Sequence, residues 1–119
     1  MKITASRPVF LVMNEEEERK VLARQLVKCG ITTVTCDSGC QFLHVQKDFD
    51  GGLIFADFRL ADMNGLELFR ALHIRPGIFV LVLLAMRDDE PMLRQVFPEV
   101  LAAPVTFPQI QQAVRCFLQ

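Results

Sequence analysis

Tryptophan and tyrosine are absent from this chain of 119 residues, so ten phenylalanines supply every aromatic ring. Charge of one sign is lacking too. Thirteen Lys and Arg against fourteen Asp and Glu leave a net charge of -1, without the positive excess that binding a phosphate backbone requires. Nucleic-acid binding through this segment is therefore disfavoured. No apolar run reaches the roughly 20 residues of a membrane span, and the stretch from Met1 to Pro8 has no apolar signal-peptide core. No membrane association is expected, and the location is read as cytoplasmic. Cys29, Cys36, Cys40 and Cys116 are scattered without a pairing framework, which predicts reduced and mostly buried thiols. Cys36, Cys40 and His44 recur every four residues, but Cys36 falls in a β-branched stretch and no fourth ligand is evident. A soft-metal site is not expected there.

What is present is an ordinary globular composition, 51% hydrophobic and 23% charged, over the length of a single domain spanning residues 1–119. Val9 to Met13 is a short apolar run. Asn14 and four glutamates then open a segment with Val21, Leu22, Leu26 and Cys29 at helical spacing, which Gly30 stops. Ile31 to Cys36 reads as a strand, Asp37-Ser38-Gly39 as the turn into a helix near Phe42-Leu43, and Leu53 to Asp57 as a third strand after Asp50-Gly51-Gly52. Leu66, Leu68, Phe69 and Leu72 mark a helix that ends near Arg75-Pro76-Gly77. Ile78 to Ala85 is apolar throughout, as a parallel strand buried on both faces should be. Pro91 to Phe97 reads as a short helix, Val100 to Ala102 as a short strand, and Pro108 to Leu118 as a last helix with proline in its first turn. Five strand and helix pairs in strict alternation argue for an α/β fold, a five-stranded parallel sheet with helices on both faces.

Asp57 is the candidate nucleophile. It ends an apolar strand, and open α/β sheets place their ligand crevice outside the carboxyl ends of the strands. The Asp57 to Gly65 loop followed by Leu66-Glu67-Leu68, together with Arg87-Asp88-Asp89-Glu90, resembles the receiver domain of bacterial two-component response regulators. That resemblance runs from about Val9 to Leu118. It extends to the receivers that precede a helix-turn-helix output domain, such as the FixJ-like group.

The resemblance implies a CheY-like, flavodoxin-like (βα)5 three-layer sandwich and phosphoryl transfer from a histidine kinase to an aspartate. It also implies Mg2+ held near that aspartate, a lysine that binds the phosphate, and a hydroxyl and an aromatic that report it. Carried over by position, the phosphoacceptor is Asp57, and the metal contacts are Glu15, Asp57 and the backbone carbonyl of Arg59. The other positions depart. Asn14 stands where a carboxylate is usual, Ala85 where the hydroxyl is, Val100 where the aromatic is and Ala103, before Pro104, where the lysine is. Weakened Mg2+ binding is the expectation, because this ion demands near-ideal octahedral oxygen geometry. The bond before Pro104 resembles one that is cis in receivers. The segment from Arg87 to Ala103 is also about one helical turn shorter than is common in the family, which reshapes the usual signalling face.

Structural roles compete with these assignments. Asn14 reads as the N-cap of the first helix with Glu17 as its capping-box partner, and Glu15 to Glu18 favour the positive helix end. Lys20 four residues after Glu16 reads as a solvated ion pair. Met63 reads as loop packing and Gly65 as turn geometry. Val100, Val105 and Phe107 read as core, with a homodimer surface as the other option. Arg59 and Arg87, two residues past Asp57 and Ala85, are candidates to replace the missing positive charge.

Two functions remain. One is a pseudo-receiver, phosphorylated weakly or not at all, that works by protein interaction or dimerisation. The other is a working phosphoacceptor that controls a C-terminal DNA-binding output domain. Enzyme readings fare worse. Arg59 stands where a haloacid-dehalogenase-like phosphatase needs its second aspartate, and no glycine-rich dinucleotide fingerprint or P-loop lysine is present.

Overall fold

The computed structural model describes residues 7–72, 79–97 and 99–118. Strand β1 (Val9–Val12) leads into helix α1 (Glu16–Lys28), and β2 (Thr33–Cys36) into α2 (Gly39–Val45). Next come β3 (Gly52–Asp57) with α3 (Gly65–Leu72), β4 (Phe79–Ala85) with α4 (Glu90–Val96), and β5 (Val100–Ala102) with α5 (Phe107–Leu118). Among the described residues every pairing between these strands is parallel, and the strand order is β2-β1-β3-β4-β5. The expected five-stranded sheet with helices on both faces is borne out. The proposed end of α3 near Arg75-Pro76-Gly77 lies outside the described residues.

Alternation along the strands sorts the core into two layers. Phe10, Val12, Ile54, Ala56, Leu81 and Leu83 face α2, α3 and α4, where Phe42, Leu68 and Leu93 cover them. Val9, Leu11, Leu53, Phe55, Val82 and Leu84 face α1 and α5 and meet Leu22, Leu26, Ile110 and Val114. Phe10 anchors the first layer, its ring edge-on to Phe42 and Phe49 at centroid distances of 5.1 and 5.3 Å. Fully burying a side chain of this size contributes about 1.5–3 kcal/mol. Val100 and Val105 are buried, and Phe107 packs half-buried on the second layer, so all three serve the core.

Local signals explain several boundaries. Gly30 takes φ +79 after α1, its N–H donating to Val27 and the Ile31 N–H to Leu26, a Schellman ending that needs the left-handed backbone glycine allows. Gly65 has a different reason from the turn geometry expected of it. Its φ is not positive, and a Cβ there would run into Leu83 Cδ2, so glycine serves close packing where α3 starts. The thiols also differ from expectation. Cys36 is buried, which pushes it up to about 11, whereas Cys29, Cys40 and Cys116 are exposed because they fall at a helix end or on outer helix faces.

Candidate functional site

Parallel strands that all run one way bring their ends to one edge. Asp57 ends β3 opposite Leu84, Ala85 ends β4 opposite Ala102, and Asn14 follows β1, which pairs with β3 through Val12 and Ala56. Asp57, Asn14, Ala85 and Ala103 therefore gather at the carboxyl edge. The Ala103 N–H donates to Ala85 O at 2.7 Å, and the Ala103–Pro104 bond is cis, as the resemblance implied.

The Asp57 carboxylate is half-buried. Among the described residues it takes one hydrogen bond, from the Asn14 backbone N–H to Oδ2 at 2.8 Å. Burial pushes its carboxyl above the usual value of 3.8, the Asn14 N–H pulls it partly back, and the Glu18 carboxylate adds to the rise. No cation among the described residues offsets that burial.

The capping assignment for Asn14 is corrected. Helix α1 is capped by Glu15, whose carboxylate accepts the Glu17 N–H at 3.4 Å. Asn14 instead reaches across the site, its side-chain Nδ2 donating to the Arg59 carbonyl at 2.5 Å. The longer glutamate side chain folds back on its own helix, and the shorter amide is left for the neighbouring loop.

Arg59 is corrected as well. Its guanidinium does not serve Asp57 but forks onto Asp89, Nε to Oδ2 at 2.8 Å and Nη2 to Oδ1 at 2.9 Å, over the Phe58 ring. A carboxylate that offers both oxygens to the planar fork is the better match. Arg87 is exposed in the turn after β4.

The loop between β3 and α3 is tied on both flanks. Gly65 N–H donates to Phe58 O at 2.7 Å and Leu60 N–H to Met63 O at 3.0 Å, while Met63 packs on the first core layer. Asp62 from this loop accepts the Gly39 and Cys40 N–H groups at 3.0 and 2.8 Å, fixing the start of α2. Asn64 and Glu67 exchange hydrogen bonds at 2.9 and 3.1 Å as the capping box of α3. Sequence reasoning passed over Asp62 and Asp89, which carry no local signal. The Asn64-x-x-Glu67 pattern was there to be read. Cys36 lies in β2 with Cys40 and His44 on α2, so the three do not share one helix face.

The donor set does not fit Mg2+ as arranged. The ion wants about six oxygens at about 2.0–2.1 Å. Here Glu15 caps α1 and the Arg59 carbonyl is taken by an amide donor, which leaves the Asp57 carboxylate with Oδ1 open but without the other two assigned ligands beside it. Among the described residues no group of three or more His, Cys, Asp or Glu is placed to hold a metal.

The model of the response regulator receiver domain matches residues 9–114. The chain belongs to that family. The transcriptional regulatory protein FixJ of Azorhizobium caulinodans is 28% identical over 87 residues, covering 73% of this receiver and 41% of FixJ. The transcriptional regulatory protein GlrR of Escherichia coli is 27% identical over 114 residues, covering 91% of this chain and 26% of GlrR. The chain thus spans less than half the length of either relative. Among solved structures, the crystal structure of FixJ-N superimposes with a TM-score of 0.77 at 26% identity, covering 94% of this receiver and 93% of that chain. No helix among the described residues is long and apolar enough to cross a membrane.

Proposed function

We propose that this receiver is a pseudo-receiver, an interaction module of a two-component system that works with little or no phosphorylation at Asp57. The observation that carries this reading is the environment of the Asp57 carboxylate. Among the described residues its polar contact is one backbone N–H, and the nearby positions Ala85 and Ala103 carry only methyl groups. A phosphoryl group there would bring charge that neither a metal ion nor a lysine balances, and no hydroxyl would report it. Divalent metal binding is correspondingly weak. The module has no catalytic activity of its own and works in the cytoplasm, with a histidine kinase or another signalling protein, or a second copy of this chain, as partner.

A second reading is favoured by one specific observation. Asp57 is retained at the strand end, and the relatives FixJ and GlrR are transcriptional regulatory proteins much longer than this chain. In that case the receiver is slowly phosphorylated and controls a C-terminal DNA-binding domain.

Incubation with acetyl phosphate and Mg2+, followed by intact mass and amide NMR, separates the two. Unchanged mass and spectra support the pseudo-receiver. A stable phosphoryl adduct at Asp57 with shifts spreading into α4 and β5 would establish the switch.

A further inference from the structure

One residue donates to two oxygens at and just past the end of β3, while Asp57 Oδ1 takes no hydrogen bond among the described residues. Asn14 gives its backbone N–H to Asp57 Oδ2 and its side-chain Nδ2 to the Arg59 carbonyl, at 2.8 and 2.5 Å. We propose that the Asn14 side chain takes the place of a divalent cation at the Arg59 carbonyl of this receiver, so that the amide and a metal ion compete for that oxygen. The inference rests on the assignment of Asp57 and the Arg59 carbonyl as the receiver site.

The chemistry of the amide supports competition over coordination. The Nδ2 hydrogens are positively polarised and cannot ligate a cation, and the Arg59 carbonyl, a pure acceptor, requires a donor opposite it. Flipping the amide to offer Oδ1 would set oxygen against oxygen, so the orientation follows from the hydrogen-bond partner. A cation bound to the Arg59 carbonyl at about 2.0–2.1 Å would occupy the space into which Nδ2 donates.

Asn14 is held there by its neighbours. The preceding Met13 donates its N–H to Cys36 O at 3.2 Å, extending the β1 to β2 ladder, and its carbonyl accepts Arg19 Nη1 at 2.6 Å. Both backbone groups of Met13 are thereby fixed, and the following N–H is aimed at Asp57. Glu15 on the other side begins the α1 cap. The clamp is part of the chain's path between β1 and α1, not a chance side-chain contact.

Competition and ligation make opposite predictions for the loss of the side chain. If Asn14 were a weak metal ligand, N14A would bind a divalent cation less well than the native chain. If the amide blocks the site, N14A binds it better, by about three- to tenfold for the release of one competing hydrogen bond. Mn2+ is the probe, with affinity read from the free-ion electron paramagnetic resonance signal at a temperature where circular dichroism shows every variant folded. N14S, too short to hold the Arg59 carbonyl, repeats the test should N14A fold poorly. N14D removes the donor, adds an anionic ligand and should bind tighter still. Equal or weaker Mn2+ binding by N14A and N14S, or N14D no tighter than native, overturns the proposal. Stable phosphorylation of the native chain would instead overturn the pseudo-receiver reading and leave these relative affinities standing, so the two failures are distinguishable.

Discussion

Replacing Gly65 by alanine tests whether the loop that presents the Arg59 carbonyl is held by packing. The added methyl would enter the space of Leu83 Cδ2 and come within 3.4 Å of Phe58, on a side of β4 where Leu83 is fully buried and cannot retreat to solvent. Overpacking of this kind costs about 1–3 kcal/mol, and the stiffer unfolded chain that alanine brings returns less than about 1 kcal/mol. The net loss is about 1–2 kcal/mol, which lowers Tm by about 4–8 °C in a domain of this size. The assay is thermal unfolding by circular dichroism of G65A, L83V and the double variant. Trimming Leu83 relieves the clash, so the cycle should show a favourable coupling of about 1 kcal/mol. G30A is the control: no heavy atom of the described residues lies within 4 Å of its Cβ, so its loss comes from the left-handed backbone and L83V does not rescue it. A Tm for G65A within about 1 °C of native, or costs that add to within about 0.3 kcal/mol, refutes the packing account.

The Asp57 carboxyl is raised in the folded state, so the chain gains stability as pH falls through its folded pKa toward 3.8 and loses it as pH rises through the same window. D57N should accordingly melt higher than native at pH 7 and lose that advantage near pH 3. A lower Tm for D57N at pH 7 would show that Asp57 has a compensating partner after all. Asp62 has the opposite sign: the Cys40 N–H, ahead of other backbone donors, holds its carboxyl low, so its stabilisation is present above 3.8 and lost as pH falls through the folded value. D62A should cost about 0.5–1 kcal/mol at pH 7 for this exposed cap, with the difference from native closing in acid; a pH-independent difference would mean the loss is not electrostatic.

Much of the fold is written locally. The β-branched run before Cys36, the apolar stretch ending at Ala85 and Gly30 after α1 each settle a neighbourhood from within a few residues, and alternation then dictates a parallel sheet. The position of Asp57 at the carboxyl edge was legible for the same reason. Its surroundings were not. Asn14 and Glu15 both suit an N-cap, and only the distant Arg59 carbonyl decides which one leaves the helix. Arg59 looks available in sequence because Asp89, its partner, lies thirty residues away. Gly65 gives no hint of whether a turn or a neighbour demands it, since Leu83 belongs to another strand. Exposed cysteines escaped for a similar reason, as apolar character in a short helix does not say which face looks inward.

The short connection from Phe58 to Asn64 touches three neighbours by separate links: Asn14 through the Arg59 carbonyl, α2 through Asp62, and the β4 to α4 turn through the Arg59 guanidinium. These links differ in chemistry and none shares an atom with another. Breaking any one of them leaves the bonded atoms of the other two in place. Such a loop is anchored by three separate ties, where a site built round a single bound charge would hang on one.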